Sequence, residues 1–291
     1  MAWIHHRAKQ LFTNWYGGWN INYKSVFMKA LLKTPAIASL LLATLFGSVT
    51  MLHAGPFYHP TNATYRTSTS RAVMMTREAA RLAAKRAEMR MVVATAISIY
   101  ADMDLEDSGL SRKAFESAWI GYYKLRKKGL LKRTNILTIC DFSQSSSNQR
   151  MYVIDVRNRR MLYRTYVAHG INSGEEFATS FSNKMESCKS SLGFYVTSGT
   201  YTGVNGLSLR INGVDKGFND NARKRAIVIH GANYVSMRVV HKYGVMGTTF
   251  GCPAIPTEMT TQIIPVVKNG SCFYIYYPSK KYLNQSKVLN S

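Results

Sequence analysis

"IVIHGANYVSMRVVHKYGVMGTTFGCPAIP", residues Ile227–Pro256, decides how the rest of the chain is read. A β-branched apolar run stops at His230-Gly231, and Gly251-Cys252 follows in a small Gly/Thr-rich stretch closed by Pro253. Such a run is a short strand, and its last residue is a place where a side chain is aimed rigidly over a cleft. Gly251 admits backbone conformations closed to residues with a β-carbon. Pro253 has no N–H and restrains Cys252 to extended geometry. A cysteine is a nucleophile only as thiolate, which needs a base or a positive field beside it. His230 is the candidate base. The Gly231 carbonyl is placed to accept from one ring nitrogen and fix the tautomer, the part an Asp plays in a serine triad. Backbone N–H groups at Phe250, Gly251 and Cys252 are the candidate oxyanion donors.

Spacing alone leaves other readings open. Cys252 also fits a small filler in a turn, with His230 a satisfied core imidazole. His230, His241 and Cys252 lie eleven residues apart, but zinc sites show close ligand pairs, so neither a metal nor a cofactor is expected. Cys140, Cys188 and Cys272 form no CxxC pair, and Cys140 and Cys272 read as small core residues in strands.

Around this stretch the texture is that of a mainly β domain. "NILTICDF", "RMYVIDV", "LYRTYVAHG", "LGFYVTSG", "LSLRI", "RAIVIHG" and "SCFYIYY" are short β-branched and aromatic runs separated by Gly, Asn and Ser. They predict a sandwich or barrel over residues 135–291, with one helical insert in "TEMTTQIIPVVKNG" that Pro265 kinks or ends. Residues 56–134 read as a linker and a helical segment. It holds an Ala/Arg/Met-rich helix over about 74–100 and a second helix capped by Ser111 and stopped at Gly129.

The chain carries 38 Lys+Arg against 15 Asp+Glu, and the net charge of +23 implies an anionic partner such as an envelope polymer or membrane surface. No zinc-finger spacing, RNA-recognition motif or helix-turn-helix signature points to nucleic acid. From Thr34 to Tyr65 there is no Lys, Arg, Asp or Glu, and "AIASLLLATLFGSVTMLHAG" follows Lys24, Lys29 and Lys33. That order predicts an export signal or an inner-membrane anchor within residues 1–55, with Met28 a possible true start and residues 34–54 the anchor.

The motifs "VIHGANYVS…GTTFGCPAIP", "VAHGINSG", "FSNKMESCKSSLGFYVT" and "YTGVNGLSLRINGV" together resemble the murein L,D-transpeptidase catalytic domain, the YkuD-like family, over about residues 100–278. The likeness is to a subgroup with a Gly-Cys-Pro-Ala turn. The resemblance implies a β-rich catalytic domain in the periplasm, peptidoglycan stem peptides as substrate and a carbapenem-sensitive thiol. Cys252 would be nucleophile, His230 base and Gly231 the orienting carbonyl. Its activity would be 3→3 cross-linking through a thioester with release of D-alanine. An L,D-carboxypeptidase of the same fold and a non-catalytic wall-binding protein are the alternatives. Two departures stand out: Phe250 occupies the place of a second His, and the gap from His230 to Cys252 is long. Arg210 and Arg225 are candidates for substrate carboxylates, with solvated or core-rim arginines as the more ordinary reading; Tyr234, Ser236 and Thr249 are candidates for the cleft wall, and His169 for the cleft wall or equally a structural partner.

Overall fold

The Ala/Arg-rich stretch folds as α1, Ala63–Asp102, in a computed structural model that describes residues 63–290. The expected export or anchor segment, residues 1–55, lies outside the described residues. Among the described residues, no helix is long and apolar enough to cross a membrane. Every described side chain from Arg71 to Ala87 is exposed. The other end of α1 is tied down by apolar burial of Val92, Ala96, Ile99 and Tyr100. Helix α2, Arg112–Lys127, begins as its sequence requires. The Ser111 hydroxyl accepts from the Ala114 N–H at 3.3 Å, and Lys124, Arg126 and Lys127 fill the last turn, where cations offset the helix dipole.

All seven runs become strands of one sheet. They are β1 Ile136–Asp141, β2 Met151–Asp155, β3 Arg160–Thr165, β4 Gly193–Gly203, β5 Gly206–Gly213, β6 Val228–Gly231 and β8 Cys272–Tyr276. A two-residue strand, β7 Ala254–Ile255, completes the order β3-β2-β1-β8-β4-β5-β6-β7. Pairings are antiparallel except β1 with β8 and β6 with β7. The chain leaving β3 then crosses to the far edge. Ala168 bridges Ala254 antiparallel, its N–H donating to the Ala254 carbonyl at 2.8 Å. The two sheet edges thereby approach each other. The result is a nearly closed barrel rather than two facing sheets.

The core forms where helices cover strands. Helix α2 lies against β1 and β8, and α4, Thr260–Val267, lies against β1 and β5. All residues of β1 and β8 are buried, as expected of strands covered on both faces. Phe115, Tyr122, Phe194, Phe273 and Ile275 are fully or almost fully buried, each worth about 1.5–3 kcal/mol in transfer free energy. Pro265 sits inside α4, two residues before its end.

Two buried polar hubs fix segments that hydrophobic burial alone would leave loose. Arg150 donates twice to the Val167 carbonyl, once to the Gln144 carbonyl and once to Nδ1 of His169 at 2.7 Å, with its guanidinium 4.5 Å from the Phe142 ring centroid. This pins Val167–Gly170 beside β2. Asp215 accepts from the Phe194 N–H, the Tyr282 and Ser286 hydroxyls and the Val288 N–H. It anchors the terminal helices α5, Lys280–Gln285, and α6, Lys287–Asn290.

Candidate active site

His230 is set by its strand neighbours. In β6 it pairs with Ser208 of β5 on one side and Ala254 of β7 on the other, while Val228 pairs with Arg210. Directly paired residues share a sheet face, so Ser208, Arg210, Val228 and His230 rise from one surface. Cys252, two residues before Ala254, falls alongside Val228. The Val228 N–H reaches its sulfur, and the thiol itself is directed at the Ala226 carbonyl at 3.8 Å.

The His230 tautomer is fixed by its own neighbour. Nδ1 lies 2.9 Å from the Gly231 carbonyl oxygen, which can only accept, so Nδ1 carries the proton. Nε2 has no protein partner among the described residues. Gly231 is required sterically, because a β-carbon there would meet Thr260 Cγ2 at 2.8 Å and Thr257 Cα at 3.0 Å.

The Cys252 turn is locked by Thr249. Its hydroxyl donates to the Cys252 carbonyl at 2.8 Å and accepts from the Gly251 N–H at 2.9 Å. Thr249 is held in turn by backbone bonds to His169 and Ile171 at 2.9 and 2.7 Å. The Gly251 N–H is therefore occupied, which removes it from the expected oxyanion donors. The N–H groups of Phe250 and Cys252 have no intramolecular acceptor among the described residues and remain as the candidate donors. Gly251 has φ +119°, and a β-carbon there would meet the Lys189 carbonyl oxygen at 2.7 Å.

Arg225 underlies this turn. Its guanidinium donates to the Ser182 and Lys189 carbonyls at 2.8 and 2.6 Å and to the hydroxyls of Ser187 and Ser191. It ties the strap Ser182–Ser191 against Gly251. The expected Arg225–carboxylate contact is thus displaced by four contacts within the protein. Burial pushes the Cys252 thiol up, while the Val228 N–H and the Arg225 charge pull it partly back. Burial also raises the Tyr234 phenol, and the Cys252 charge adds to it.

The remaining expected residues divide. Arg210 lies on the His230 face, where it stacks 4.2 Å from the Tyr201 ring centroid and donates to the Thr200 carbonyl. Ser236 precedes α3, Met237–Tyr243, the exposed helix that occupies the long gap before Cys252, and His241 lies exposed on it. Phe250 projects 78% exposed beside the cysteine. Of the two readings of His169, the structure takes the structural one. His169 is fully buried, Nδ1 accepts from Arg150, Nε2 donates to the Gly174 carbonyl at 2.9 Å, and burial with the Arg150 charge depresses it to about 4. It braces the turn from behind and does not line the cleft. The Arg225 strap carries no sequence motif, since its partners are distant in the chain, whereas the Thr249 lock is local, with partners two and three residues on.

The profile of the YkuD_2 family, L,D-transpeptidase catalytic domain, matches residues 106–276. The chain belongs to this family. Among solved structures it is similar to an L,D-transpeptidase from Mycobacterium smegmatis (11% identity, TM-score 0.31, covering 49% of this chain and 59% of that one). It is also similar to the helical cell shape determining protein Pgp2 of Campylobacter jejuni (14%, TM-score 0.33, 55% of each chain). A third is an L,D-transpeptidase from Xylanimonas cellulosilytica (12%, TM-score 0.28, covering 49% and 60%). This chain thus spans little more than half the length of the structures it matches. No curated protein matches it.

Proposed function

We propose that the protein is a peptidoglycan L,D-transpeptidase that makes 3→3 cross-links between stem peptides through a thioester on Cys252. The observation that carries this reading is the Nδ1–H bond from His230 to the Gly231 carbonyl. It leaves Nε2 as the ring nitrogen open to a thiol, on the same sheet edge as the strand that follows Cys252. Because burial holds the thiol up, the resting sulfur is protonated at neutral pH and needs that base when substrate arrives.

Nε2 takes the thiol proton as sulfur attacks the carbonyl of the third stem residue. The Phe250 and Cys252 N–H groups meet the oxyanion. Collapse breaks the peptide bond to the terminal D-alanine, whose amine leaves with the proton from His230. The side-chain amine of a second stem then attacks the thioester, the thiol is regained, and the new amide is the cross-link. The chain would act in the periplasm, exported or anchored through residues 1–55, with catalysis in the domain over residues 135–291. The Gly251-Cys252-Pro253-Ala254 turn would mark its subgroup, and carbapenems would acylate Cys252.

Incubation with defined disaccharide-tetrapeptides, followed by mass analysis, tests this. Dimers joined 3→3 with free D-alanine are expected. Tripeptides without dimers would make it an L,D-carboxypeptidase, and unchanged substrate with an unreactive Cys252 would make it a binding protein.

A further inference from the structure

A concave site lies away from the cysteine turn. It is a groove of about 830 Å³ bounded by residues 179–184, residues 216–221 and the start of α5. Lys184, Lys216 and Lys281 stand on it, all exposed, and no Asp or Glu is among its lining residues. The nearby Asp220 carboxylate is engaged by the Asn183 amide and the Gly217 N–H. Phe181, Phe218 and Tyr277 form its apolar lining, and the Phe181 and Tyr277 rings pack 5.0 Å apart at 45°. Half-buried rings flanked by hydroxyl and amide side chains are the usual dressing of a site that takes a polar ring with an apolar face. The walls are held firmly. Asn221 bonds Asn183 through backbone N–H and side-chain amide, and the buried Asp215 pins α5.

The groove and the cysteine turn share a wall. Ser182, which lines the groove, and Lys189, which packs on Gly251, both offer their carbonyls to the Arg225 guanidinium. The strap Ser182–Ser191 therefore has the groove at one end and the nucleophile's turn at the other. A stem peptide of four residues reaches roughly 13 Å when extended. A polymer seated on one side of the strap can thus present its branch to the other.

We propose that this groove binds the glycan strand that carries the stem peptides, with the three lysines meeting free carboxylates of those stems and the aromatic rings meeting the sugar faces. This rests on the peptidoglycan reading above and adds a polymer-binding site to it. The cationic lining is lysine throughout, with no arginine. Forked arginine contacts are the hallmark of phosphate recognition, so a glycan fits better than a nucleic acid.

The test uses the full chain and its retention on purified sacculi, and on glycan strands from which an amidase has removed the stems and freed a lactyl carboxylate at each cleavage. The variant K184E/K216E/K281E should bind both roughly tenfold more weakly, from three exposed attractions turned into repulsions. A control with the same charge change on α1, R77E/R81E/K85E, should differ from wild type by less than about threefold, a long-range screening effect only. Circular dichroism confirms that both fold. Equal losses in the two variants, or no loss in the groove variant, would overturn the proposal. So would retention of single-stranded DNA that depends on the same lysines as strongly. Wild-type turnover of soluble tetrapeptide is measured alongside. Its absence, with groove-dependent retention intact, defeats the transpeptidase reading and leaves the groove standing. Its presence without groove-dependent retention does the reverse.

Discussion

Replacing Thr249 by Val removes one hydroxyl and little volume, yet that hydroxyl bridges the Gly251 N–H and the Cys252 carbonyl at 2.9 and 2.8 Å. The buried Gly251 N–H would lose its acceptor, and an unsatisfied buried group costs about 1–3 kcal/mol. At about 2 kcal/mol the Tm of a domain this size falls by about 4–8 °C. The kinetic effect is larger than stability alone implies. The same bonds fix where the Cys252 sulfur and N–H point, and a displacement of about 1 Å can cost roughly a hundredfold. Thermal melts and the time course of carbapenem acylation by intact mass read both quantities. Thr249→Ser retains the hydroxyl and should stay within about threefold of wild type in acylation, since both hydrogen bonds persist. A Val variant with wild-type Tm and acylation would refute the reasoning. So would a Ser variant damaged as badly as Val, because the methyl group would then be what matters.

Three further outcomes are expected. Gly251→Ala forces a β-carbon into a φ of +119° and to 2.7 Å from the Lys189 carbonyl, so stability should drop by about 1–3 kcal/mol in urea titration, with thiol labelling impaired. The Cys252 alkylation rate should keep rising with pH beyond the ordinary thiol range, since burial raises its folded-state pKa, and Arg225→Met should move the inflection further up; an inflection at or below that of a free thiol counts against this. His169 is depressed from 6.5 to about 4 in the folded state, so the unfolded chain binds a proton first as pH falls. The associated stability is complete above about pH 6.5 and is lost on going down to about pH 4, by about 3 kcal/mol, and His169→Gln should flatten that slope in unfolding titrations.

Much of this was legible in the sequence because strands of β-branched and aromatic residues announce themselves locally. All seven runs are strands, and Ser111 and Gly129 bracket α2 as their chemistry requires. Strand β7 was not legible, since two residues carry no period. The site divides along the same line. "VIHG" and "VAHG" look alike, but His230 bonds its own neighbour's carbonyl, whereas His169 is claimed by Arg150, nineteen residues upstream. Between substrate and core rim the sequence left Arg225 open, because nothing local reveals that its acceptors lie in the strap 182–191. Local geometry is written in neighbours, and the fate of a buried charge is written in partners that only folding supplies.

The most direct measurement is peptide mapping of the carbapenem-treated protein beside its His230→Ala variant. The adduct should sit on Cys252 alone, form roughly a hundredfold or more slowly without the imidazole that serves as base, and be absent from Cys252→Ala. An adduct on Cys188, or one that forms on Cys252 at the same rate without His230, would contradict the pairing of imidazole and thiol on which the mechanism stands.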